Sequence, residues 1–140
     1  MTLLRRIDHV GYAVHDLDAA VAHHRRLYDL EVVHRERVER DGDDEALLAV
    51  GESYLQLLAP TREDSPVARF LARRGPGVHH VGYAVDDVDA TLDRLRVEGV
   101  RLVDDHPRPG SRGCTVAFVH PAGALGVLVE LVEDPVAPPG

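Results

Sequence analysis

Residues 7–14, "IDHVGYAV", mix β-branched and aromatic positions into a short, largely apolar run, and the same pattern returns at 78–85 as "VHHVGYAV". Runs of this length and make-up predict strands at Ile7–Val14 and Val78–Val85. After each comes an aspartate, Asp16 or Asp87, suited to cap a helix. Leu17, Ala20, Val21, His24 and Leu27 then fall at helical spacing, as do Val88, Leu92 and Leu95 in the second stretch. Shorter apolar runs follow. They predict strands at Leu30–His34, Ala46–Val50 and Tyr54–Ala59, and again at Val100–Val103, Thr115–His120 and Val127–Val132, separated by turn residues. The order is βαβββ, written twice.

The duplication is direct. Aligning 7–20 with 78–91, an offset of 71, leaves nine of fourteen positions identical. Two repeats of this length are too few and too long for a solenoid, so they predict a duplicated module whose copies build one core. The predicted fold class is α+β, with two tandem βαβββ modules forming a curved sheet cleft. The chain reads as a single domain over 1–140, with module 1 at about 6–60 and module 2 at about 78–133. Between the modules Ser65–Pro66 marks the start of a linking helix over about 65–74, the hydroxyl as cap and the proline at the first helical position. Gly75–Gly77 ends that helix, and the tail 134–140 is expected to fray.

Composition narrows the function. The net charge of −8 argues against nucleic acid as a partner. No apolar run approaches the roughly 20 residues of a membrane helix, and the N-terminus lacks a signal-peptide core. The single cysteine, Cys114, excludes an internal disulfide and suits the cytoplasm.

The repeat singles out four polar side chains. His9 and His80 are equivalent in the two first strands. Gln56 in "SYLQLLAP" and Glu130 in "VLVELVED" each interrupt the apolar last strand of a copy. An amide or carboxylate in such a run is costly to bury without a partner, and a divalent cation is one. Two imidazoles and two oxygens leave two positions open on an octahedral ion. The donor set suits Co²⁺, Mn²⁺, Ni²⁺ or Zn²⁺ and argues against a closed structural zinc site. His79 neighbours His80 but aligns with Asp8 and should face the other way. His15, His23, His24, His34 and His106 have no repeat partner and read as surface. His120, at a strand end, is left open.

These segments resemble the vicinal oxygen chelate superfamily and, within it, the methylmalonyl-CoA epimerase family. The likeness runs over about residues 6–133 and is carried by "IDHVGYAVHDLDAAV", "SYLQLLAPTREDSPVARFLARRGPGVHHVGYAV" and "FVHPAGALGVLVELVE". It departs from the family pattern at His23, His24 and Asp29 and at Ala122. The resemblance implies that His9, Gln56, His80 and Glu130 are metal ligands, with Co²⁺ the foremost metal. It also implies that Glu45, otherwise one charge in the acidic run Asp41–Glu45, is a catalytic base. Glu130 is a candidate for the second acid/base through its other oxygen.

The implied activity is a metal-dependent epimerase. It would interconvert the stereoisomers of methylmalonyl-CoA, or a related 2-substituted malonyl-CoA, by removing and returning the α-proton. An acyl-CoA partner and a homodimer are implied as well. Rival readings are a glyoxalase I-type isomerase, an extradiol dioxygenase, and a non-enzymatic small-molecule binding or resistance module. Gln56 as a fourth ligand counts against the dioxygenase. With only Phe70 and Phe118 and no Trp, the chain lacks the aromatic walls of an apolar trap.

Overall fold

A computed structural model describes residues 2–135. The elements run β1 Arg6–Ala13, α1 Leu17–Tyr28, β2 Val32–Val38, β3 Asp43–Val50, β4 Ser53–Pro60, α2 Pro66–Arg74, β5 Gly77–Ala84, α3 Val88–Val97, β6 Arg108–Pro109, β7 Thr115–Val119 and β8 Val129–Glu133. They form two compact units. One spans His9–His79; the other joins the N-terminal residues up to Asp8 with the chain from His80 onward. Each holds one βαβββ sequence.

In the His9–His79 unit the strand order is β2-β3-β4-β1. Parallel pairing sets Gly11 opposite Gln56. Antiparallel pairing sets Leu47 opposite Gln56 and Glu45 opposite Leu58. Partners in register share a face and neighbours alternate. One face therefore carries Ala46, Leu48, Leu57 and Ala59, which pack on Leu17 and Val21 of α1. The other carries His9, Asp43, Glu45 and Gln56. One end of that second face is closed by α2, whose Val67, Phe70 and Leu71 pack on Ala13 and Leu58.

Helix boundaries follow the expected chemistry. Asp16 accepts from Ala19 N, and α1 ends at Asp29, which takes the left-handed conformation at φ 56°. Ser65 accepts from Ala68 N at 3.0 Å, with Pro66 opening α2 and Gly75 closing it at φ 72°. Leu27, placed on the apolar stripe by spacing, is instead half exposed.

The second unit repeats the plan with the order β5-β8-β7-β6. Gly82 lies opposite Glu130, as Gly11 lies opposite Gln56. Ala117, Val119 and Leu131 pack on Val88 and Leu92 of α3, and this is the core of the unit. His80, Glu130 and Phe118 occupy the opposite face, Phe118 lying directly across from Glu130.

One predicted strand is displaced. Val100–Val103 contributes only a single bridge, Leu102 to Val119, and the ladder strand is the short β6. The reason is local. Val103 N and Asp104 N both donate to Phe118 O, at 3.0 and 3.2 Å, which breaks the ladder's alternation. Asp104 Oδ2 then accepts from Phe118 N at 2.8 Å and replaces the missing strand bond with a side chain. Of the tail, Asp134 is held by Arg6 at 3.2 Å, and 136–140 lie outside the described residues.

Candidate active site

In the first unit, the site face of β1, β3 and β4 carries three of the residues singled out by sequence. His9, Glu45 and Gln56 are all buried. Gln56 Nε2 donates to Glu45 Oε2 at 2.9 Å. That bond fixes the amide, so Gln56 Oε1 points away from Glu45. Oε1 is buried and has no hydrogen-bond partner. Buried side-chain oxygens are nearly always satisfied, so this one calls for a partner such as a water or an ion. The same amide thus orients a carboxylate with one end and offers an acceptor with the other.

Asp43 lies two residues before Glu45 on the same face and is buried too. Burial pushes its carboxyl up to about 7, helped by Asp41 and Glu45 and opposed by Arg62. The acidic run Asp41–Glu45 is therefore not a uniform surface patch, because Asp43 and Glu45 point inward by strand alternation.

In the second unit, His80 Nε2 lies 3.1 Å from Glu130 Oε1, both side chains buried. An imidazole nitrogen and a carboxylate oxygen are thereby presented side by side. His9, His80 and Glu130 are all donors of the type a transition metal takes.

Other histidines sort themselves out. His79 faces away from His80 and packs edge-on against Phe70, ring centroids 5.1 Å apart. His15, His23 and His106 are exposed, but His24 and His34 are half-buried rather than surface groups. His24 Nδ1 bonds Ala20 O at 2.8 Å. His120 Nδ1 accepts from Ala122 N at 3.0 Å and so serves the turn after β7.

One buried charged group was not singled out by sequence reasoning. Asp8 is fully buried in the second unit, where it meets Arg112 Nη2 at 2.9 Å and Arg6 Nη2 at 3.2 Å. Arg112 reaches it from the glycine-rich stretch 108–115 with φ 57°, a left-handed backbone. Asp8 aligns with His79 in the repeat, so symmetry could not reveal it. Only its place inside an apolar strand was a signal.

Two tandem βαβββ units, each with a buried imidazole and an oxygen donor on the face away from its first helix, define the α+β vicinal oxygen chelate fold. The chain matches the Glyoxalase/Bleomycin resistance protein/Dioxygenase superfamily over residues 8–118 and belongs to it. It is 36% identical to the ethylmalonyl-CoA/methylmalonyl-CoA epimerase of Cereibacter sphaeroides, over 94% of this chain and 99% of that one. It matches the crystal structure of methylmalonyl-CoA epimerase from Mycobacterium tuberculosis with TM-score 0.92 and 44% identity, covering 99% of this chain and 92% of that one. A variant of the Streptomyces coelicolor methylmalonyl-CoA epimerase, in complex with 2-nitronate-propionyl-CoA, matches with TM-score 0.92 and 47% identity. There the coverage is 98% of this chain and 99% of that one.

Proposed function

We propose that the protein is a methylmalonyl-CoA epimerase that uses a divalent cation held by His9, Gln56, His80 and Glu130. The observation that carries the reading is the buried, unpartnered Gln56 Oε1 beside a Glu45 carboxylate that the same amide orients. The relatives supply the substrate class: a 2-substituted malonyl thioester, whose α-carbon lies between a thioester carbonyl and a carboxylate and whose α-proton is acidified chiefly by the thioester. Neither a glyoxalase I-type isomerase nor a small-molecule trap is favoured by relatives of such length and identity.

The donors fit a divalent cation because all four are buried and none is a thiolate. Co²⁺ is the foremost choice. When bound, the cation supplies Lewis-acid stabilisation of the negative charge that builds on the thioester oxygen. The chain's own residues do the rest. Glu45 takes the α-proton, and the electron pair of the broken C–H bond is left on the substrate as an enolate. The 2.9 Å bond from Gln56 holds Glu45 in one rotamer for that transfer. Return of a proton to the opposite face of the planar carbon inverts the centre; Glu130 is the proposed relay, its carboxylate passing on a proton taken up from solvent, while the proton on Glu45 is released to solvent. Positioned proton transfer of this kind contributes about 10²–10⁴-fold in rate. A homodimer in the cytoplasm completes the proposal. No helix among the described residues is long and apolar enough to cross a membrane.

The test is incubation of one methylmalonyl-CoA stereoisomer with the protein in D₂O, followed by NMR. Loss of the α-proton signal together with formation of the other stereoisomer is expected, and chelation should stop both. A substrate that keeps its α-proton and its configuration would refute the assignment.

A further inference from the structure

We propose that Phe118 and Arg108 are positioning residues that lock the plane of the His80 imidazole for metal binding. The inference rests on the metal reading of the preceding section. Its geometry lies wholly within the second unit.

The Phe118 ring stands edge-to-face against His80, centroids 5.7 Å apart and planes at 80°. The Arg108 guanidinium carbon lies 5.2 Å from the Phe118 ring centroid. A cation over a ring is attracted to its negative face, so Arg108 holds the phenyl ring as the ring holds the imidazole. Asp104 anchors both members. Its Oδ2 accepts from Arg108 Nε at 3.2 Å and from Phe118 N at 2.8 Å. Register places the stack on the site face: Arg108 opposite Val116, and Phe118 opposite Glu130.

The 3.1 Å approach of His80 to Glu130 fixes one nitrogen of the imidazole but not its rotation about that contact. The near-perpendicular phenyl ring packed against the imidazole restrains that rotation. Groups behind the ligands in metal sites are typically worth about 10–100-fold in metal affinity.

Packing alone does not call for this arrangement. The core of the unit lies on the other face, around Ala117, Val119 and Leu131, and Phe118 is only half-buried. The first unit shows what the fold itself needs at that place. Leu47 stands opposite Gln56 as Phe118 stands opposite Glu130, and Leu47 is fully buried. An aliphatic side chain satisfies the sheet there. The second unit puts an aromatic ring under a guanidinium instead, beside the imidazole.

The experiment titrates Co²⁺ into metal-stripped protein, reading affinity by calorimetry and ligand geometry by the visible spectrum of the bound ion. Phe118→Leu and Arg108→Met should each weaken Co²⁺ binding about tenfold and alter the spectrum. Arg108→Lys, which keeps a cation over the ring, should restore most of both. The thermal midpoints of the metal-free variants should stay near wild type. Unchanged affinity and spectrum in Phe118→Leu and Arg108→Met overturn the proposal. So does a loss of affinity that follows the thermal midpoint and is not restored by Arg108→Lys. A wild-type protein that takes up no Co²⁺ overturns the metal reading itself, and this proposal falls with it.

Discussion

Glu45 and Gln56 share one hydrogen bond, which ties the proposed base to the proposed ligand. Glu45→Gln keeps the volume but removes the proposed base. It should lower kcat for epimerisation by at least about 100-fold while leaving the thermal midpoint within a few degrees of wild type. Steady-state kinetics beside a melting curve check this. Asp43 makes a pH-dependent prediction. Its carboxyl ionises near 7 in the folded protein and near 3.8 when unfolded. The folded state therefore binds the extra proton between those values, and this group's contribution to stability falls as pH rises from 4 to 7. Asp43→Asn removes the penalty. At pH 8 it should melt at a higher temperature than wild type, reflecting a stability difference on the order of 1–3 kcal/mol that vanishes at pH 4. Equal midpoints at both pH values would mean that Asp43 is not held in an apolar place. At this scale the sequence spoke through symmetry. His9 and His80 were legible because they repeat, and Gln56 and Glu130 because they interrupt apolar strands. Asp43 and Asp8 repeat nothing, and their burial depends on tertiary partners that no local pattern announces.

The elements were read from capping and spacing, and the caps held best. Asp16, Ser65 and Asp87 each accept from the backbone N–H three residues on. Ser65→Ala should cost about 1 kcal/mol of unfolding free energy, measured by urea denaturation. Asp29 is the weaker junction, since a left-handed residue with a Cβ closes α1. Asp29→Gly should stabilise the protein by about 0.5–1 kcal/mol in the same assay. The least legible element was the third of module 2. Its apolar letters, Val100–Val103, resemble a strand, yet two successive N–H groups converge on one carbonyl there. Whether an apolar run joins a ladder is decided by its partner's hydrogen bonds, which the run itself does not encode. The pairing was set by Asp104, a residue outside the run.

Taken as a whole, the molecule repeats one plan twice but does not divide at the repeat boundary. Residues 5–8 pack with the second unit, where Arg6 and Asp8 meet Arg112 and Asp134. Removing one side of a buried pair leaves the other charge uncompensated. Asp8→Ala should therefore cost about 3 kcal/mol, and hydrogen exchange should rise first along 108–116. Loss of protection confined to the His9–His79 unit would contradict the assignment of Asp8 to the second. The arrangement also bears on how the chain is made. A ribosome delivers Arg6 more than a hundred residues before Asp134. The middle stretch can close on itself as soon as His79 has emerged. The unit that holds Arg6 and Asp8 is therefore completed after the His9–His79 unit, and residues 5–8 must wait for Arg112 and Asp134 to follow.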